Sequence, residues 1–127
     1  PAAAAATPPP PAPDPKAADP TPTLLFDQQG RVLQGRLERA DGTDASDAVA
    51  AALAGLSREA ERATRLLDLG EWRAIAVESG AYNYEVRTPT KESLLLVMRG
   101  REVPAGRLAR IADKAVERAR RWLEELA

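Results

Sequence analysis

Proline divides this chain before any other feature does. Nine of its eleven prolines fall in residues 1–22, among alanines and without a single Leu, Ile, Val or aromatic residue. Such a segment cannot bury enough apolar surface to offset the entropy lost on ordering. Pro8-Pro9-Pro10-Pro11 favours polyproline II locally. We therefore assign residues 1–22 as a Pro/Ala-rich disordered tail or linker, and residues 23–127 as the folding unit. A ligand for an aromatic-grooved domain is the alternative for the tail, but Lys16 is its only base. The remaining length, about 105 residues, suits one ordinary domain.

Composition then removes whole classes of chemistry. The chain has no cysteine and no histidine. Disulfides, thiolate nucleophiles, histidine-based triads and the usual zinc sites are excluded. Residues 23–127 hold 17 acids and 17 bases, so no net field draws the domain toward nucleic acid or anionic lipid. The longest strongly apolar run, Leu94–Met98, is far short of a membrane span of about 20 residues. The alanines at the start lack a basic n-region and an apolar h-region, so they do not make an intact signal peptide. We expect a cytoplasmic location. The chain opens without Met, which fits an excised domain or a processed product. No phosphate-binding glycine loop occurs.

The folding unit changes period several times. Leu24-Leu25-Phe26 and Val32-Leu33 flank the turn Asp27-Gln28-Gln29-Gly30 and read as a β-hairpin. Gly35 in its second strand marks a bulge or a close backbone approach. Residues 46–69 read as a long helix, with Asp44 or Ser46 at its start and Gly70 as the residue that ends it. Its apolar stripe runs through Val49, Leu53, Leu56, Ala60, Ala63 and Leu67. Three strands follow. Residues 72–79 are apolar on both faces, with Trp72, Ala74 and Ala76 on one side and Ile75 and Val77 on the other, so both faces should be covered. "AYNYEVRT" sets Tyr82, Tyr84 and Val86 against Asn83, Glu85 and Arg87. "SLLLVMRG" is again doubly apolar. The last helix starts near Pro104, a suitable first-turn residue, and its stripe is Leu108, Ile111, Ala115, Ala119, Trp122 and Leu126.

Few residues are arranged for chemistry. Asp41, Asp44 and Asp47 recur at threes, but without calcium-loop spacing, and two of them suit a helix N-terminus better. Arg107, Arg110, Lys114, Arg118 and Arg121 form a basic stripe on the last helix that reads as a solvated face. Arg58, Glu61, Arg62 and Arg65 lie on the polar side of the first long helix, either solvated or set against a partner. No catalytic, cofactor or metal residue is assigned.

The order of hairpin, long helix, three strands and long helix resembles the roadblock/dynein light-chain family, of the bacterial motility and polarity regulator type. The carriers are "LLFDQQGRVLQG", "DAVAAALAGLSREAERATRLLDLGEWRAIAVES" and "SLLLVMRG…GRLARIADKAVERARRWLEEL". The resemblance implies an α/β (α+β) profilin-like sandwich. Its sheet would be five-stranded and antiparallel, with long helices, in the order β-β-α-β-β-β-α. It implies a homodimer in which strand 72–79 pairs with its symmetry mate and helix 46–69 packs beside its copy. Ala52, Leu56, Ala60, Ala63, Trp72, Ala74 and Ala76 would form that interface. The family usually has an amphipathic helix ahead of the hairpin. Here the proline-rich segment stands in that place and cannot be that helix.

The resemblance also implies a function: a non-enzymatic dimeric regulator or adaptor of a small Ras-like GTPase. Arg58, Glu61, Arg62 and Arg65 would face that partner. No nucleic acid or membrane insertion is expected. The rival readings are a structural scaffold or interaction module tethered by its tail to a larger assembly, without a GTPase, and an enzyme with a carboxylate-based site.

Overall fold

The computed structural model describes residues 23–126. The assignment of residues 1–22 as a tail lies outside them. The elements are β1 (Thr23–Asp27), β2 (Val32–Gly35), α1 (Ser46–Leu66), β3 (Ala74–Glu78), β4 (Tyr82–Arg87), β5 (Ser93–Gly100) and α2 (Ala105–Leu126). The strands form one antiparallel sheet in the order β2-β1-β5-β4-β3. The element order is that read from the sequence, and the five-stranded antiparallel sheet is that implied by the family resemblance.

The two helices pack on opposite faces of the sheet. Alternation along β1 and β5 explains this. Leu24, Phe26, Leu94 and Leu96 point to α1, where they meet Ala50, Leu53 and Ala54. Leu25, Leu95 and Val97 point to α2 and meet Leu108, Ala112, Ala115 and Ala119. The doubly apolar runs are therefore the two central strands, buried on both sides. Truncating a fully buried residue such as Phe26 to Ala would cost about 3–5 kcal/mol.

The hairpin turn is fixed by its own side chain. Asp27 Oδ1 accepts from the Gln29 and Arg31 N–H groups, each at 2.9 Å, an Asx-type turn. Gly30 has a φ of +83°, and a Cβ there would lie 2.8 Å from Ala51 Cα. The turn thus lies directly against α1. Gly35 makes the close approach expected of it: a Cβ would lie 2.3 Å from Thr23 O. β2, not β1, is the sheet's outer edge.

Three expectations are corrected. First, α1 ends at Leu66 rather than residue 69. The chain turns left-handed at Asp68, with a φ of 55°. Asp68 N–H bonds Arg65 O and Leu69 N–H bonds Thr64 O, the paired bonds of a Schellman motif. Asp68 takes the left-handed position expected of Gly70, because a short polar side chain tolerates it. Second, Ser46 does not cap α1. Its Oγ accepts from Leu37 N–H at 2.7 Å, while Asp44 accepts from Ser46 N–H at 2.8 Å. Third, β3 is not covered on both faces. It is the second edge of the sheet, with Ile75 and Val77 half-buried and Ala74 and Ala76 exposed. Neither helix makes more than slight contact with it.

Candidate functional site

Helix α1 has three flanks rather than one stripe. The core flank carries Ser46, Ala50, Leu53, Ala54 and Ser57, all buried. These are mostly small residues, which lets the helix backbone sit close to the hairpin. Val49 and Leu53 of the expected stripe do pack on the core. Leu56, Ala60, Ala63 and Leu67 do not. They form a second flank that rotates out of the core, with Leu56 37% and Leu67 67% exposed. Beyond it, Leu66 and Leu69 are 76% and 66% exposed. Together these leucines leave α1 with an exposed apolar flank.

The residues expected at a dimer interface sit on these open surfaces. Ala52, Leu56 and Ala63 are exposed and Ala60 is half-buried on α1. Ala74 and Ala76 are exposed on β3, and Trp72, just ahead of it, is half-buried against the α1-side core. Among the described residues β3 pairs only with β4, so its outer row of backbone groups is unpaired. An open apolar edge is a ready template for another strand.

The charged flank of α1 holds the other predicted group. Arg58, Glu61, Arg62 and Arg65 are all exposed, but they are not equivalent. Arg58 Nη1 donates to the Gln28 carbonyl at 3.1 Å, so this side chain clamps the hairpin turn. Ser57 Oγ donates to Gln28 Oε1 at 3.3 Å beside it. Glu61 and Arg65 approach to 4.0 Å, an exposed pair of little energetic weight. They line an open cleft of about 810 Å³ with Gln28, Thr64, Asp68, Trp72 and the β4–β5 turn at Pro89, Thr90 and Lys91. Arg58 and Arg62 are not part of that lining.

The acidic loop resolves into local structure. Asp41 accepts from the N–H and hydroxyl of Thr43, and these bonds hold its carboxyl below the usual range. Asp44 is held low by Ser46 and then by Arg36 and Arg39. Among the described residues, no three His, Cys, Asp or Glu side chains are placed to hold a metal ion.

Sequence reading missed one polar cluster. Arg87 Nε donates to Glu85 Oε1 at 2.7 Å, Nη1 to Asp113 Oδ1 at 2.6 Å, and Nη2 to Ala109 O at 3.2 Å. Burial works against the guanidinium, and Asp113 and Glu85 outweigh it, so its pKa is raised. The cluster bolts α2 onto β4. Asp113 lies 26 residues from Arg87, beyond the reach of any local pattern.

The fold of the described residues is an antiparallel sheet with an open edge, beside a helix with an exposed apolar flank. Known structures give it a name. The chain is similar to an MglB with tetrameric arrangement, at TM-score 0.70 and 20% identity over 83% of this chain and 78% of that one. It is similar to a roadblock/LC7 domain from Streptomyces avermitilis, at 0.69 and 27% identity over 82% and 86%. It is also similar to the gliding protein MglB from Thermus thermophilus, at 0.68 and 22% over 81% and 77%. No protein-family model matches the chain, and no curated protein matches it in sequence. The described residues carry the roadblock fold, as the sequence resemblance implied. Among them, no helix is long and apolar enough to cross a membrane.

Proposed function

We propose that this protein is a dimeric, non-enzymatic roadblock-type regulator or adaptor whose partner is a small Ras-like GTPase. The observation that carries the dimer is the pairing of two open surfaces in one chain: the unpaired β3 edge and the exposed Leu56–Leu67 flank of α1. Each is an aggregation hazard alone. A second copy that pairs β3 with β3 and sets α1 beside α1 covers both at once. Ala52, Ala60, Ala63, Ala74 and Ala76 are small enough for the two backbones to approach closely. Related folds support assembly, since one solved MglB is described as tetrameric.

The GTPase reading rests on the family resemblance and on the charged flank. Pairing two α1 helices doubles the Arg58, Glu61, Arg62 and Arg65 patch toward the roughly 800 Å² per partner of a standard interface. Arginine's planar fork suits carboxylates on such a partner. The test is capture from native cell extract with immobilised full chain, with GTP analogue or GDP added. Nucleotide-dependent recovery of a Ras-like GTPase supports the reading. Recovery of a large assembly without any GTPase favours the scaffold alternative.

A further inference from the structure

Helix α1 is packed along only part of its length. Its buried residues, Ser46, Ala50, Leu53, Ala54 and Ser57, all lie within residues 46–57. In residues 59–66 only Ala60 and Thr64 are half-buried, and the rest are exposed. None of 59–66 joins either core cluster. Helix α2 differs, because Trp122 and Leu123 near its end still pack on the core. The last bond from α1 to the hairpin is that of Arg58 Nη1 to the Gln28 carbonyl. Beyond it, among the described residues, bonding stays inside the helix and its cap. Thr64 Oγ1 donates to Glu61 O at 3.0 Å, Glu61 and Arg65 approach to 4.0 Å, and Leu69 N–H bonds Thr64 O. The open cleft of about 810 Å³, lined by Glu61, Thr64, Arg65, Trp72 and Pro89, stands in place of packing there.

The two halves of α1 are therefore stabilised differently. Residues 46–57 cannot open without exposing Ala50, Leu53 and Ala54 of the core, which ties them to unfolding of the whole domain. Residues 59–66 are held by helix propensity, and propagation of a helix already started is close to balance at each residue. Glu, Ala, Arg and Leu make up most of this segment. They are good helix formers, so the helix extends, but opening it exposes little that was buried. The same segment carries Ala60 and Ala63 of the apolar flank, with Leu67 just past its end.

We infer that residues 59–66 open independently of the domain in the single chain and are locked as helix by the second copy, so that their helicity sets the strength of self-association. The inference rests on the dimer reading above, in which the copy that pairs with the unpaired β3 edge also covers the α1 flank. A partner that binds only the helical form must first bear the cost of closing it, and its apparent affinity falls by the fraction of chains already closed. In a homodimer both copies bear that cost. A substitution that changes helicity without touching the interface therefore changes association. In a helix that is rigid in the single chain, the same substitution would change the stability of the domain instead.

The test combines amide hydrogen exchange with sedimentation of the full chain over a concentration series. In the dilute single chain, and in Ala76→Pro, amides of residues 59–66 should be roughly tenfold or more less protected than those of 50–57. Their protection should rise as the dimer forms. Glu59 is exposed and belongs to neither the apolar flank nor the charged group. Glu59→Gly should weaken dimerisation about threefold or more and leave the urea midpoint of the single chain unchanged, while Glu59→Ala should not weaken it. Equal protection of the two halves in the single chain would overturn the inference. So would protection of 59–66 that stays low in the dimer, or a Glu59→Gly variant with a lower urea midpoint and native dimer affinity. A native chain that stays single at every concentration sinks the dimer reading and the lock with it, and the contrast between the two halves then decides the independent opening alone.

Discussion

Arg58 Nη1 lies 3.1 Å from the Gln28 carbonyl and joins α1 to the hairpin turn. The contact separates two residues that look alike in sequence. Arg62, one turn along, has no such tie. Arg58→Glu should lower stability by about 1 kcal/mol, the worth of a typical hydrogen bond, with a slight further loss at the turn. Arg62→Glu should leave urea unfolding unchanged. Both reversals should slow association with a captured GTPase, because rim charges act mainly on encounter rate. If Arg62→Glu captures the same partner at the same rate, the flank is only solvated.

The exposed flank of α1 gives a separate expectation. Leu56→Glu and Leu67→Glu place charge where the second copy would pack, yet remove nothing from the core. Each should weaken self-association roughly tenfold or more, with thermal unfolding of the monomer little changed. Light scattering across a concentration series measures this. Unchanged mass in both variants would move the interface elsewhere.

Gly35 should not tolerate a side chain. Its φ is +99°, and a Cβ would lie 2.3 Å from Thr23 O. Gly35→Ala should cost roughly 1–3 kcal/mol through backbone strain. Gly42 also has a positive φ, +86°, but nothing lies within 4 Å of its Cβ position. Gly42→Ala should cost less. Equal midpoints in urea for the two variants would contradict the packing at the hairpin.

Acid should expose the Asp27 turn. Burial raises the Asp27 carboxyl, but hydrogen bonds from Arg31 and Gln29 outweigh it, so the net pKa is below the ordinary value. A carboxyl depressed on folding stabilises above its unfolded value, about 3.9, and that contribution fades as pH falls through the folded value. Stability should therefore decline below about pH 4. Asp27→Asn should be less stable at neutral pH and lose less on acidification. Parallel curves for the two proteins would contradict this.

The tail carries no large apolar residue, and burial of such groups supplies most folding free energy, at roughly 25 cal/mol per Å². Removing residues 1–22 should leave the melting temperature nearly unchanged. A large drop would show that the tail packs on the domain.

Sequence reading reached the element order because each element keeps its period: two in Leu94–Val97, four and three in α2. It failed where small residues do the packing. Ala50, Ala54 and Ser57 fill the core face of α1, whereas the stripe read from the sequence continued through Leu56, Ala60, Ala63 and Leu67, which turn away from it. The covered status assigned to β3 failed for a related reason. Apolar residues on both faces of a strand do not reveal whether the cover comes from the same chain. Asp68 displaced Gly70 because a Schellman turn fixes the position of its left-handed residue, and a second residue type can occupy it. The bases Arg107, Arg110 and Lys114 of α2 stood out as a stripe, but Arg99 of β5 lines a shallow cleft with them, and only the fold brings the two elements together.

The central claim is that the open β3 edge and the α1 flank bind a second copy of the chain. Sedimentation equilibrium of the full chain at low micromolar concentration tests it directly. The account predicts twice the chain's 13.6 kDa, with a shift toward the single-chain mass in Ala76→Pro, which removes a backbone donor from the edge strand. A well-folded species that stays at 13.6 kDa as concentration rises would contradict it.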